Sequence, residues 1–131
     1  MTVFQSSACL WPARLHHLRR DSPEPERLAR FYGELLGDRV EALPGGEYGQ
    51  YGPCGQWLVQ GHGRRLIVGS GAKGTVPYFA LAMRDAAQLE NYAAALDGLG
   101  VAREPSPSPL FAEGAFAVAD PDGRRVVFGL P

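Results

Sequence analysis

The sequence predicts an α+β protein built from two successive βαβββ modules. First, the segment Gly63–Gly69 reappears sixty positions later, with matching chemical character, as Gly123–Gly129. Second, each copy is preceded at a similar distance by an amphipathic stretch of helical period. Third, 17 glycines and 11 prolines among 131 residues are typical of short strands joined by many turns. We therefore expect helices on one side of curved mixed sheets, with the other side free to enclose a cavity.

The first module is predicted over residues 14–72 and begins with a strand at 15–20. Its helix is indicated by apolar residues at i, i+3, i+4, i+7 and i+8, which are Leu28, Phe31, Tyr32, Leu35 and Leu36. These side chains should form the face that packs on the sheet. Gly37 suits the left-handed conformation that ends a helix. Three more strands are predicted at 39–43, 57–60 and 64–69, the last two joined by the turn Gly61-His62-Gly63.

The second module is predicted over residues 76–131 and repeats this order. A strand at 78–83 precedes a helix whose apolar positions are Leu89, Tyr92, Ala93 and Leu96. Gly100 is expected to end that helix. Strands are predicted at 101–104, 115–119 and 124–128, and the turn Asp120-Pro121-Asp122-Gly123 supplies the positive φ of a tight hairpin. Residues 1–13 form an N-terminal arm, so the modules together make one domain.

Composition excludes several classes of partner. Thirteen basic and fourteen acidic residues give a net charge of −1, which argues against a nucleic-acid or anionic-membrane surface. The longest apolar stretch, Tyr78 to Met83, is far short of a membrane span. No basic residue precedes the weakly apolar N-terminal segment, so a cytoplasmic location is expected. Two cysteines, Cys9 and Cys54, are too few for a disulfide framework or a zinc-type pair.

Two motifs carry a resemblance to a known superfamily: FYGELLG at 31–37 and DPDGRRVVF at 120–128. With the module order, they resemble the vicinal oxygen chelate superfamily, which includes glyoxalase I, extradiol dioxygenases, and fosfomycin- and bleomycin-resistance proteins. The resemblance covers nearly the whole chain from about Leu15. It implies an open, curved mixed-sheet barrel of the glyoxalase/bleomycin-resistance type and a homodimer. Because one fold hosts many functions, the function depends on the residues of the site and not on the fold.

The resemblance implies four positions for metal ligands, in the first and last strands of the two modules. They fall on His17, Tyr78, Ile67 and Val127. Only His17 is a good ligand, and the two aliphatic side chains have no electron pair to donate. We therefore expect neither a metal of the usual superfamily geometry nor another cofactor.

A ligand site without metal is predicted from strand alternation. His17, Arg19 and Asp21 should share the cavity side of the first strand, and Tyr78, Ala80, Ala82 and Arg84 that of the equivalent strand. Arg65 and Arg125 should join them from the last strands, and inward-facing arginines favour an anionic or carboxylate-bearing ligand. The predicted ligand-binding residues are His17, Arg19, Trp57, Arg65, Tyr78, Phe111 and Arg125, with His17 also the candidate catalytic group.

Structural explanations of the same residues stay open. His17 also fits a hydrogen-bonded structural role, and Tyr78 fits an aromatic residue of the core. Arg65 and Arg125 could be solvated strand ends. Tyr48 and Tyr51 lie in a glycine-rich loop at 45–55 that suits either a lid or plain surface.

The favoured function is therefore a small-molecule-binding protein that lacks the usual metal site and sequesters an anionic or aromatic organic ligand. The alternative is a divergent enzyme of the glyoxalase or dioxygenase type, a lyase or isomerase. It would use displaced metal ligands, or no metal and His17 as general base. A third possibility is an interaction module whose cavity is filled by Trp57, Phe111 and their neighbours.

Overall fold

The computed structural model describes residues 12–43 and 55–131, which divide into two compact units. The first unit is His17–Tyr78, and the second is Phe79–Pro131 together with the described residues up to His16. The predicted N-terminal arm, Cys9, Cys54 and most of the loop at 45–55, with Tyr48 and Tyr51, lie outside the described residues. The elements are β1 (Arg14–Ser22), α1 (Pro25–Leu36), β2 (Arg39–Ala42), β3 (Gln56–Gly61), β4 (Arg64–Ser70), β5 (Tyr78–Ala82), α2 (Ala86–Gly98), β6 (Glu104–Pro105), β7 (Phe116–Ala119) and β8 (Arg125–Gly129).

The α+β class and the twofold βαβββ order are thus confirmed. In the first unit the strands lie in the order β2-β3-β4-β1. Strand β1 runs parallel to β4, whereas the β2–β3 and β3–β4 pairs are antiparallel, so the sheet is mixed and open. The curling of the sheets into a barrel stays a prediction.

Helix α1 packs on this sheet through its smallest residues. Ala29 and Gly33, four positions apart, are its buried residues, and Leu28 and Tyr32 are partly buried beside them. A Cβ atom at Gly33 would collide with the Val40 side chain. The missing Cβ therefore lets the helix backbone approach β2 closely.

This packing corrects the predicted inner face of the helix. Phe31, Leu35 and Leu36 are 57%, 64% and 45% exposed, although their spacing predicted contact with the sheet. The apolar stripe and the small-residue stripe lie next to each other on α1, and close approach of the backbones favours the small one. Periodicity located the helix correctly but misplaced the side that is buried.

The helix ends follow the expected backbone chemistry. Gly37 and Gly100 have φ values of 72° and 74°, which confirms both as left-handed C-terminal residues. At the start of α2, the Asp85 carboxylate accepts a hydrogen bond from Gln88 N, and the Gln88 side chain accepts one from Arg84 N. The bond from Gln88 N, followed by one that Arg84 Nε donates to Asp85 Oδ2, lowers the pKa of Asp85.

The second unit contains the strand order β5-β8-β7-β6 and a core in which α2 packs on the sheet. Its buried members are Met83, Leu89, Tyr92, Leu96, Phe116 and Phe128. Strand β6 is shorter than the predicted 101–104 strand and covers only Glu104–Pro105. Val101 N donates to Leu96 O, so the backbone before β6 still completes the helix end. Neither helix in the described part of the chain is long and apolar enough to cross a bilayer.

The close approach of α1 predicts opposite effects for two glycine-to-alanine substitutions. We expect Gly33→Ala to lower the free energy of unfolding by about 1–3 kcal/mol, because the added methyl group overpacks the contact with Val40. Gly98→Ala, in the last turn of α2, meets no atom within 4 Å. That control should stabilise the protein by about 0.4–1 kcal/mol. Urea unfolding measures both, and equal stability of Gly33→Ala and the parent would contradict the packing described for α1.

Candidate ligand-binding site

The side of the first unit's sheet that faces away from α1 carries most of its polar residues. Strand register defines the two sides: Val40, Val59 and Leu66 are cross-strand neighbours and belong to the cluster under α1. The alternate row consists of Glu41, Leu58, Ile67 and Arg19. By strand alternation, this second side, called the polar face below, carries His17, Arg19, Asp21, Glu41, Gln56, Leu58, Gln60, Arg65, Ile67 and Gly69.

An ion pair between Arg19 and Asp21 is the central feature of the polar face. Arg19 Nε donates to Asp21 Oδ1 over 2.8 Å, and the two side chains are only 14% and 12% exposed. Residues two apart on a strand share a side, so the pair lies along β1. Taking two charges out of water is costly, and this cost is offset only when their geometry and hydrogen bonds are good.

Two glycines of the neighbouring chain segment make room for this pair. A Cβ at Gly69 would collide with the Arg19 guanidinium, and one at Gly71 would collide with the Asp21 carboxylate. Gly69 is the cross-strand partner of Asp21. Both charged groups therefore lie directly against the backbone of β4 and the residues after it. Glycine inside a strand often marks such a close approach, and this signal was present in the sequence.

The far end of the Arg19 guanidinium is not used by the described residues. Only Nε has a hydrogen-bond acceptor among them, so Nη1 and Nη2 have none there. A guanidinium is always charged and has five N–H groups. Asp21 thus fixes one edge of the group and leaves the other edge available to an acceptor. A carboxylate fits that edge bidentately.

A second group with an unsatisfied hydrogen-bonding atom lies on the β3 side of Gly69. Gln56 is the cross-strand partner of Gly69 in β3, and its Oε1 atom is buried without a hydrogen-bond donor among the described residues. A buried acceptor that lacks a donor costs about 1–3 kcal/mol of stability. Sequence reasoning missed Gln56, because its position beside Gly69 depends on the register of β3 and β4.

His17 and Tyr78, which are equivalent positions of the repeat, lie together. Both are almost fully buried, at 1% and 2% exposed. Their ring centroids are 6.1 Å apart and the rings are nearly perpendicular, an edge-to-face contact. His17 shares its side of β1 with Arg19. Arg65 lies half-buried on the polar face, opposite Gln60.

Trp57 lies on the opposite side of the sheet, under α1. It belongs to the cluster around Ala29 and stacks beneath the Arg30 guanidinium, 5.4 Å from the ring centroid. There it lines a cavity of about 560 Å³ together with Pro23, Glu24, Pro25, Glu26, Arg27, Arg30 and Ser70. Trp57 therefore does not share a sheet face with His17 and Arg19.

The remaining two predicted residues, Phe111 and Arg125, belong to the second unit. The Phe111 ring is 5.2 Å from that of His16 and lies against the backbone of Gly129. Arg125 is exposed, and its guanidinium binds Glu104 Oε1 over 3.0 Å and Gly123 O over 2.9 Å. In the described structure, Arg125 thus has the contacts of an ion-paired strand end.

The positions that the resemblance implied for a metal do not offer a set of donor atoms. Ile67 in the first unit and Val127 in the second are both fully buried aliphatic residues. Within residues 12–43 and 55–131, no three His, Cys, Asp or Glu side chains lie close enough together to hold an ion. His17 and the Tyr78 phenol are the polar groups that these positions provide.

Comparison with solved structures identifies the fold. A variant of homoprotocatechuate 2,3-dioxygenase from Brevibacterium fuscum is 19% identical, with a TM-score of 0.68 over 90% of this chain and 33% of that one. The Mn(II)-bound glyoxalase from Novosphingobium aromaticivorans is 16% identical, with a TM-score of 0.66 over 88% and 36%. The chain spans about a third of the length of either. No family sequence model and no curated protein matches it in sequence.

The fold of the chain therefore matches that of an extradiol dioxygenase and of a glyoxalase, the fold that the resemblance implied. At this level of identity the match identifies the fold alone. Chemistry has to be argued from the residues of this chain.

The Arg19–Asp21 pair predicts strong energetic coupling between the two residues. We expect Arg19→Met and Asp21→Asn each to lower the free energy of unfolding, by up to about 3 kcal/mol, because each leaves a largely buried charge unpaired. The double variant should lose less than the sum, with a coupling of about 0.5–3 kcal/mol. The exposed pair of Glu26 and Arg30 is the control, and its coupling should stay below about 0.5 kcal/mol. Additive effects at Arg19 and Asp21 in urea unfolding would contradict the ion pair.

Proposed function

We propose that the protein binds a small carboxylate-bearing organic molecule on the polar face, with Arg19 as the main anchor. The observation that carries this proposal is a largely buried guanidinium whose outer edge has no acceptor within residues 12–43 and 55–131. A polar group held away from bulk water gains more from a ligand acceptor than an exposed arginine does. His17, Arg65 and Tyr78 are the proposed neighbours of the ligand.

Sequestration without a reaction is the form of binding that we favour. Bound ligand would be held by Arg19, with His17 and Tyr78 supplying polar and aromatic contacts beside it. Ligand contacts of Trp57, Phe111 and Arg125, the homodimer and the cytoplasmic location stay predictions from the sequence. Sedimentation equilibrium measures the oligomeric state directly.

The metal chemistry of the relatives does not transfer to this chain on the residues it has. One of the matching proteins is named as a Mn(II)-bound glyoxalase. Here the positions implied for ligands include Ile67 and Val127, which have no donor atoms. We therefore derive no step that involves a metal.

An enzyme is the second candidate, and the observation that favours it is the position of His17. A buried imidazole lies edge-on to a phenol and shares a side of β1 with a proposed carboxylate anchor. Histidine is the side chain best suited to acid–base work near neutral pH. In this alternative, His17 takes a proton from the bound molecule, and the test is turnover that is lost in His17→Gln.

Carboxylate binding predicts a clear dependence on Arg19. Benzoate should bind at least about tenfold more tightly than benzamide, because the charged hydrogen bonds to Arg19 strengthen only the former. Arg19→Lys keeps the charge but loses the planar fork, and should lose most of this preference. Arg27→Met, an exposed substitution on α1, is the control. Calorimetric titration checks the result, and benzoate binding that is unchanged in Arg19→Lys and Arg19→Met would contradict the proposal.

Metal content tests the form of the enzyme that would use displaced metal ligands. Protein purified without chelators is expected to contain clearly less than one divalent ion per chain by elemental analysis, because Ile67 and Val127 cannot ligate. Its thermal midpoint should not rise with manganese, zinc, iron or nickel, since a bound ion would stabilise the fold. Stoichiometric metal would instead favour the enzyme with displaced ligands.

A further inference from the structure

We propose that the ligand carries a hydrogen-bond donor, an N–H or O–H group, close to its carboxylate, and that Gln56 Oε1 accepts from it. This inference rests on the proposed function, because it extends the site of Arg19. It defines the ligand class more narrowly, as amido- or hydroxycarboxylates rather than simple organic acids.

The first support is the absence of any side chain between Gln56 and Arg19. Gln56 and Asp21 are the cross-strand partners of Gly69 on its two sides. Adjacent strands lie about 4.8 Å apart, and side chains of one cross-strand row point to the same side of the sheet. Because Gly69 has no side chain, the Arg19 guanidinium occupies the space above it. No side chain of β4 therefore separates the guanidinium from Gln56, the β3 residue paired with Gly69.

The second support is that these two groups do not satisfy each other. Gln56 Oε1 has no donor and the two terminal nitrogens of Arg19 have no acceptor among the described residues. Donor and acceptor are complementary, so a direct bond would be expected if the two side chains served only to stabilise the fold. A ligand with both an acceptor and a donor would satisfy the two groups together, because it would accept from Arg19 and donate to Gln56.

The third support is the charge balance of the site. Asp21 already neutralises Arg19, so a simple anion gains less there than at an unpaired arginine. A ligand that adds a hydrogen bond to Gln56 recovers affinity and gains specificity, because a buried polar group left unpaired discriminates strongly against analogues that lack its partner. Gln56 is therefore proposed as a specificity-determining residue.

The experiment compares ligand pairs that differ only in the donor. Hippurate has an amide N–H next to its carboxylate, and O-benzoylglycolate replaces that N–H by an ester oxygen. Mandelate and O-methylmandelate make the same comparison for O–H. In the parent protein, at least one donor-bearing member should bind about tenfold more tightly than its partner, the effect of one hydrogen bond. In Gln56→Met, which keeps the side-chain length, this ratio should fall to about one.

Gln60→Met is the matched control, since Gln60 lies on the same strand and the same side of the sheet. It should leave both ratios unchanged. Gln56→Met should also raise the Tm of the ligand-free protein by a few degrees, because it removes a buried acceptor that has no donor. A lowered Tm would mean that the oxygen is already satisfied and would overturn the inference.

The outcomes distinguish this inference from the function on which it rests. Benzoate binding that depends on Arg19, together with equal affinities within both ligand pairs, overturns the role of Gln56 and leaves the carboxylate site in place. A donor preference that persists in Gln56→Met also overturns it. If no carboxylate probe binds in an Arg19-dependent manner at concentrations up to about 10 mM, the proposed function and the inference both fail.

Discussion

The packing of a charged pair against bare backbone is the constraint on which the first unit's polar face depends. Arg19 and Asp21 are bonded to each other at low exposure, and this is sterically possible because Gly69 and Gly71 have no side chains. Any larger residue at either position would push a charged group away from the sheet. The glycines therefore belong to the candidate site as much as the charged residues do, although they provide no functional group.

On the other side of the same sheet, small residues again allow close packing, here between helix α1 and the strands. Gly33 allows α1 to approach Val40, and Ala29 lies one turn earlier on the same stripe. The sheet thus has an apolar side closed by a helix and a polar side with unsatisfied polar atoms. Among the described residues, Gln56 Oε1 has no donor and the terminal nitrogens of the largely buried Arg19 guanidinium have no acceptor. A domain that served only as packing would be expected to satisfy such groups internally. Their persistence is the physical argument for a bound molecule.

Most of the element order and part of the candidate site could be predicted from the sequence. Periodicity located both helices, and the hairpin glycines located β3–β4 and β7–β8, because these signals act between residues close in the chain. Alternation also placed His17 and Arg19 on one side of β1. The side of the sheet on which Trp57 lies could not be predicted, because an aromatic residue in a strand fits either side equally well by composition. The strand predicted at 101–104 was shortened by the hydrogen bond from Val101 to Leu96.

The sequence by itself determined the two βαβββ modules. It also determined that two of the four implied ligand positions, Ile67 and Val127, have no atom that could bind a metal. A side chain without a donor atom cannot acquire one by folding. Only the tertiary structure decided which stripe of α1 is buried and that Gln56 lies beside the space occupied by Arg19. These depend on strand register and on backbone distance, which arise from contacts between residues far apart in the chain.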